Sequence, residues 1–154
     1  MNISKKELEL AGFRRAGTVY PDKAKVLRLD LNWDATGFVV YVMVVNQEFK
    51  KAGTTGRKQS TLRKRMSSTF SALRQVIEGA PPGRPPARWR SRPLDPFKKH
   101  APAALRASQE VELWALECPS FEAMVAKETE LNNKYESEWT KEGRHRLKTR
   151  IPES

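Results

Sequence analysis

The run of eight apolar residues Phe38–Val45, FVVYVMVV, constrains the fold of this chain more than any other feature. It is rich in β-branched and aromatic residues and lacks apolar–polar alternation, so it predicts a central strand buried on both faces. Eight residues are far too few to cross a membrane as a helix. The pair Asn46-Gln47 then predicts a hairpin turn, and Glu48–Ala52 predicts the returning strand.

The remaining patterns predict an α/β protein of the α+β kind, in which helices flank a small mixed or antiparallel central sheet. Period-two segments predict strands, and apolar stripes at spacings of three and four predict helices. The predicted strands span 25–31, 38–45, 48–52 and 110–116, and the predicted long helices span 59–78 and 120–141. A capping box that begins at Ser4 predicts a short first helix that ends by Gly12.

The length of 154 residues predicts one domain over 1–154, with two basic appendages. Segment 79–107 contains seven of the ten prolines, seven Lys or Arg and one acid. Because proline removes backbone donors, the segment cannot be one helix or one central strand, and it predicts an inserted, partly extended arm. We expect residues 144–154 to form a basic tail.

The charge balance predicts a polyanionic partner. Lys and Arg number 29 against 18 Asp and Glu, a net charge of +11, and such an excess attracts nucleic acid at long range. Simple solubility and a ribosome-associated role are the alternatives. The single cysteine, Cys118, excludes an internal disulfide and suits a reducing compartment. The N-terminus has no apolar segment of a signal peptide, so we expect a cytoplasmic protein without a membrane partner.

Three residues are candidates for a chemical role because of their positions in the predicted elements: Glu128, Arg65 and Tyr41. Glu128 lies on the apolar stripe of the second long helix, where an ionised carboxylate is costly unless it is paired or binds a metal. A buried salt bridge to Arg63 or Arg65 is the alternative. Arg65 borders the stripe of the first long helix and could equally be a solvated residue, and Tyr41 could be an ordinary core aromatic.

The order of four short motifs resembles the GIY-YIG nuclease superfamily, over roughly residues 37–78 and 110–143. The motifs are Val39-Val40-Tyr41, Lys51-Ala52-Gly53, Leu62-Arg63-Lys64-Arg65 and Glu128-Thr129-Glu130-Leu131. Val39 stands where the family has glycine. Lys51 stands where it often has tyrosine, although lysine occurs there in restriction-type branches.

The resemblance implies a DNA endonuclease with the catalytic residues Tyr41, Lys51, Arg65 and Glu128. Glu128 would hold one Mg²⁺ (or Mn²⁺), a hard ion suited to carboxylate oxygen. Tyr41 would accept the proton of the attacking water, with Lys51 supplying the positive charge that a phenol needs as a base. Arg65 would pair with the scissile phosphate.

Basic and aromatic residues outside these motifs are candidate DNA contacts, because arginine binds phosphates and aromatic rings stack or wedge. They are Arg63, Arg84, Arg88, Trp89, Arg90, Arg92, Lys98 and Lys99, with Phe97 as a second aromatic residue of the arm. A disordered basic linker is the alternative for the arm.

Two alternatives to a DNA endonuclease remain from the sequence. One is a catalytically inactive GIY-YIG-like protein that only binds nucleic acid, which Val39 and Lys51 motivate. The other is a basic RNA-binding protein of different ancestry. The expected state is a monomer or a homodimer, since one active site cuts one strand.

Overall fold

The computed structural model describes residues 2–24, 26–56, 58–78, 96–107, 109–135 and 139, and in these residues the chain forms six strands and four helices. The strands are β1 Arg14–Pro21, β2 Leu27–Leu31, β3 Thr36–Val45, β4 Glu48–Thr54, β5 Ser60–Thr61 and β6 Val111–Cys118. The helices are α1 Lys5–Leu10, α2 Leu62–Glu78, α3 Pro96–Arg106 and α4 Phe121–Lys134.

The strands form a six-stranded antiparallel sheet in the order β2-β1-β6-β3-β4, and β5 pairs with the first residues of β3. Strand β3 lies between β6 and β4, and its residues 39–45 are all buried. The predicted central strand is therefore confirmed. Asn46 and Gln47 have φ values of 51° and 66°, as the two central residues of a tight hairpin turn require, so the predicted turn is confirmed as well.

Alternate residues of β3 enter two separate cores because side chains alternate across a strand. Tyr41 and Met43 belong to the core covered by α2 and α3. Val40 and Val42 belong to the core on the other face, which α1 and α4 cover. The sheet is thus sandwiched between helices, in agreement with the predicted α+β class.

Two strands were not anticipated from the sequence. Strand β1 reads RRAGTVYP, with two exposed arginines at its start and a register shift between Arg15 and Gly17 that breaks the alternation. Strand β5 is only two residues long and occupies the start of the predicted helix over 59–78. Helix α2 accordingly begins at Leu62, where Thr61 accepts a hydrogen bond from the Lys64 N–H at 3.1 Å.

The predicted inserted, partly extended arm over 79–107 contains a helix, α3, over residues 96–106. Proline is compatible with the first helical position, which Pro96 occupies. Phe97, Ala101 and Leu105 recur every four residues and are buried, and this packing outweighs the cost of Pro102 inside the helix. The stretch 79–95 lies outside the described residues, as does the basic tail.

The second long helix is shorter than predicted, because α4 ends at Lys134 rather than near 141. Trp139, which falls within the predicted helix over 120–141, lies beyond the end of α4. It belongs to the opposite core, and its backbone N–H donates to the Lys50 carbonyl at 3.0 Å. Trp139 is therefore held at the outer edge of β4. None of the helices in the described residues is long and apolar enough to cross a membrane.

Candidate active site

Tyr41 and Gly53 are direct cross-strand neighbours in β3 and β4. The tyrosine ring lies over the glycine so closely that a Cβ at position 53 would come within 2.9 Å of Cε1 and would overlap the hydroxyl. Only glycine leaves room for this contact. Because β4 is an edge strand of the sheet, the ring of Tyr41 reaches toward that edge.

The Tyr41 hydroxyl is buried and has no partner among the described residues. The residue is 1% exposed and lies in the apolar core beneath α2 and α3. No described donor or acceptor forms a hydrogen bond with this hydroxyl, whereas buried hydroxyls are normally paired. At 1% exposure the side chain is almost completely removed from solvent, so access of a water to the oxygen requires a rearrangement.

Lys51 lies on the same face of the sheet as Tyr41, one pleat along β4 from Gly53. Diagonal neighbours of this kind have Cα atoms about 7–8 Å apart. The ammonium of Lys51 is 5.0 Å from the centre of the Phe97 ring, a cation–π geometry, and the described residues provide no carboxylate within ion-pair distance. Lys51 therefore places a positive charge, uncompensated within the described residues, on the half-buried face that Tyr41 also occupies.

Arg65 lies in the first turn of α2 and is exposed. The helix begins directly after β5, which lies along β3 beyond the end of β4. Arg63 is exposed in the same turn, and its backbone N–H donates to Asp34 Oδ1 at 2.8 Å. Neither guanidinium forms an ion pair with a described carboxylate, so both can bind a phosphate by donating hydrogen bonds to its oxygens.

Glu128 is half-buried on α4 and lies beside the outer edge of β4. Its position along β4 follows from the contacts of Met124 and Asn132, which lie one helical turn before and after it. Met124 Sδ lies 3.9 Å from Thr55 Oγ1, and Asn132 bonds both backbone groups of Ala52, at 2.9 and 3.0 Å. Because positions four apart share a helix face, Glu128 lies between these contacts, beside residues 53–54.

Tyr41, Lys51 and Glu128 thus lie near the edge of β4, on two faces of the sheet, whereas Arg65 lies on α2, which begins beyond the end of β4. Tyr41 and Lys51 are on the face covered by α2 and α3, whereas Glu128 is on the helix that packs against the other face. Their convergence in one cleft stays a prediction.

Asn132 was not recognised from the sequence as part of this region. It is 4% exposed, and its side-chain amide both accepts from and donates to the backbone of Ala52, replacing a missing strand neighbour. The sequence signal that could have identified Asn132 is an uncharged polar residue on an apolar row of the helix, eight positions after Met124. Glu128 lies on the same row of the helix. The two bonds of Asn132 to Ala52 therefore determine which residues of β4 Glu128 lies beside.

The donor set at this edge fits a weakly held Mg²⁺ rather than a closed metal cage. In the part of the chain that is described, no three His, Cys, Asp or Glu side chains cluster as a metal site. Mg²⁺ usually keeps several waters and is bound by one or two carboxylates together with substrate phosphate. The single carboxylate of Glu128 meets that requirement.

Most of the predicted DNA contacts of the arm cannot be placed: Arg84, Arg88, Trp89, Arg90 and Arg92 lie outside the described residues, and so do the side chains of Lys98 and Lys99 in α3. Phe97, the second aromatic residue of the arm, is 4% exposed and packs edge-to-face against Phe70 and Trp139, so its ring is not available for stacking in this conformation. Its burial follows from its position in α3.

The environment of Cys118 does not favour a nucleophilic role. It is half-buried at the end of β6, and burial raises the pKa of its thiol, which disfavours the reactive thiolate.

Comparison with known proteins identifies a similar fold and no sequence relative. No family model matches the chain, and no curated protein matches it. Among solved structures, that of a mutant of EndoII from bacteriophage T4 superimposes with a TM-score of 0.55 at 14% identity, covering 88% of this chain and 97% of the other. The similarity extends over nearly the whole phage protein, and at this identity it shows a shared α+β fold.

Proposed function

We propose that the chain is a Mg²⁺-dependent endonuclease that hydrolyses phosphodiester bonds in DNA at the edge of β4. The proposal rests on the fold shared with EndoII, a phage endonuclease, and on the motif order that resembles the GIY-YIG nucleases. The single observation that carries it is the packing of Tyr41 on Gly53, with Lys51 on the same face of the sheet. A buried hydroxyl that has no hydrogen-bond partner among the described residues is an arrangement that stability alone does not favour.

Each residue has a defined part in the proposed reaction. A water oxygen forms a new bond to phosphorus while one ester P–O bond breaks. Tyr41 Oη, as a phenolate, accepts the proton of that water, and Lys51 supplies positive charge on the same face of the sheet. Arg65 binds a non-bridging oxygen of the phosphate and stabilises the additional charge in the transition state. Because the hydroxyl is covered in the free protein, DNA binding has to uncover it.

Glu128 would hold the Mg²⁺ in this proposal. The ion, when bound, neutralises phosphate charge and helps the leaving oxygen to depart. A half-buried carboxylate suits this purpose because it attracts the cation, while the exposed arginines of α2 would attract the phosphate.

A nucleic-acid-binding protein without catalysis is the second candidate. The burial of Tyr41 at 1% exposure favours it, because this hydroxyl cannot reach a water without rearrangement. The two candidates share the basic surface and differ in whether a phosphodiester bond is cut.

A plasmid-nicking assay separates them. The protein is incubated with supercoiled DNA in Mg²⁺ or in EDTA, and binding is followed in parallel by fluorescence anisotropy. We expect nicking in Mg²⁺ only. Glu128→Gln should lose nicking and keep binding, whereas the matched control Glu130→Gln, on the exposed side of the same helix and paired with Lys127 at 3.0 Å, should keep both.

Binding without nicking by the wild-type chain would establish the second candidate. Wild-type nicking by Glu128→Gln would assign the metal to other residues.

A further inference from the structure

Arg14 and Trp33 form a stacked pair at the end of the sheet where α2 begins. The guanidinium carbon of Arg14 lies 4.3 Å from the centre of the Trp33 ring. Arg14 is exposed, whereas Trp33 is half-buried and packs against the core below α2 and α3. Among the described residues, no carboxylate pairs with Arg14 and no acceptor bonds to the indole N–H of Trp33. The donors of both side chains are therefore available to a ligand.

Arg14 lies in the same row of the sheet as the candidate catalytic tyrosine. It pairs with Ala115 of β6, Ala115 pairs with Tyr41 of β3, and Tyr41 pairs with Gly53 of β4. Residues directly opposite one another in neighbouring strands share a face of the sheet, so Arg14 and Tyr41 are on the same face. Neighbouring strands are about 4.8 Å apart, which separates Arg14 from Gly53 by about 14 Å along this row.

The loop after β2 connects the stacked pair to the first turn of α2. Asp34 follows Trp33 directly, and its Oδ1 accepts the backbone N–H of Arg63 at 2.8 Å. Arg63, Lys64 and Arg65 are all exposed. The guanidinium of Arg14 and the cations of this turn therefore form one basic surface at the end of the sheet.

The carboxylates at this end of the sheet do not neutralise that surface by pairing with it. Asp34 bonds to the helix backbone, and Glu117 Oε2 accepts the backbone N–H of Thr36 at 2.9 Å. Neither carboxylate forms an ion pair with a described Lys or Arg side chain. The basic surface therefore attracts a polyanion.

A guanidinium that stacks on an indole is well suited to bind phosphate. The ring contacts one face of the planar group, whereas the N–H donors lie in the plane and remain free for a bidentate pair with phosphate oxygens. The stack also restricts the long side chain of Arg14, so less conformational entropy is lost when a ligand binds.

We propose that the Arg14–Trp33 pair binds a backbone phosphate of the DNA about four nucleotides from the phosphate that is cut, since 14 Å is about four steps of 3.4 Å along one strand. Arg14 donates to the phosphate oxygens, and the indole N–H of Trp33 is a further donor at the same place. A phosphate contact fixes the position of the duplex and does not read its sequence. The inference rests on the proposed function for its ligand and adds a second DNA contact to the candidate site.

The salt dependence of binding by matched variants tests this contact. Fluorescence anisotropy of a labelled duplex is measured in EDTA, so that no strand is cut, over a range of salt concentrations. Arg14→Ala should weaken binding about 10-fold, as expected for one charge-assisted hydrogen bond, and should flatten the plot of log affinity against log salt by about 0.9. Arg14→Lys keeps the charge but loses the planar fork, so it should keep the slope and bind more weakly than the wild type.

Arg15→Ala is the matched control, because it removes the same charge from the next residue. Arg15 is exposed but lies opposite Trp114, on the other face of the sheet. Its guanidinium already donates to Thr18 Oγ1 at 2.9 Å and lies 3.9 Å from a carboxylate oxygen of Glu112. This variant should keep the affinity and the slope of the wild type.

Trp33→Leu tests the stack itself, because leucine keeps an apolar group on the core and removes the ring. It should weaken binding, and the double variant with Arg14→Ala should bind no more weakly than Arg14→Ala alone, because both changes act on one contact. Fully additive losses would mean that Trp33 does not act through Arg14.

Two results would overturn the proposal: wild-type affinity and slope in Arg14→Ala, or equal losses in Arg14→Ala and Arg15→Ala, which would indicate a diffuse field. The nuclease is judged separately by plasmid nicking in Mg²⁺. Normal nicking without an effect of Arg14 on binding would refute the contact alone. Binding that depends on Arg14 in a chain that never nicks would refute the nuclease alone.

Discussion

Replacing Tyr41 with phenylalanine separates the structural and chemical contributions of this residue. The ring, which packs on Gly53 and in the core, is unchanged, and only one oxygen is removed. A buried hydroxyl without a hydrogen bond costs about 1–3 kcal/mol in protein mutational data. Because the described residues offer the Tyr41 hydroxyl no partner, Tyr41→Phe should leave the free energy of unfolding unchanged or raise it by about 1 kcal/mol, within that range. Plasmid nicking should be lost.

Tyr135→Phe is the matched control, because it removes the same atom from a buried tyrosine that has a partner. The Tyr135 hydroxyl donates to Glu7 Oε2 at 3.0 Å, and the residue is 5% exposed. This variant should lower the free energy of unfolding and keep nicking. Both variants are measured by urea denaturation followed by tryptophan fluorescence, with the m-value compared to ensure that the unfolded states are alike.

Two outcomes would refute the reasoning on Tyr41. A loss of more than about 1 kcal/mol in Tyr41→Phe, which is the net contribution of a typical hydrogen bond, would mean that the hydroxyl is paired. Normal nicking by a stable Tyr41→Phe variant would mean that Tyr41 is a core aromatic and that another group accepts the proton.

Three further predictions concern the same region. Gly53→Ala should destabilise the protein by about 1–3 kcal/mol in urea denaturation, because its Cβ overlaps the ring of Tyr41, and little loss would show that the ring moves aside freely. Asn132→Asp should cost about 1–3 kcal/mol, because a carboxylate cannot donate to the carbonyl of β4, whereas the exposed control Asn133→Asp should be nearly neutral. Burial, and then a hydrogen bond to a carboxylate, raises the pKa of Tyr135 from 10.0 to about 12. The folded state holds this proton more tightly, so stability is retained below pH 10 and falls as the pH rises toward about 12. Denaturation at several pH values should show this fall, and Tyr135→Phe should flatten it.

The sequence alone determined the elements whose signal is local. The run Phe38–Val45 predicted the central strand, and Asn46-Gln47 predicted its turn, because β-branched content and turn residues act within a few positions. The capping box at Ser4 and the stripe of α2 were likewise visible, since a helix is specified by its own cap and periodicity. The α+β class followed from these elements together.

The tertiary structure decided what depends on residues far apart in the chain. Helix α3 forms although it contains Pro102, because Phe97, Ala101 and Leu105 are buried against other elements. Trp139 lies in the opposite core from α4, where its backbone N–H bonds to the Lys50 carbonyl at the outer edge of β4. Asn132 and Ala52 are separated by 80 positions, and only the folded chain brings the amide to that edge. The candidate site depends on the same edge, because packing across strands, rather than any local motif, lays Tyr41 on Gly53 and holds Glu128 beside it.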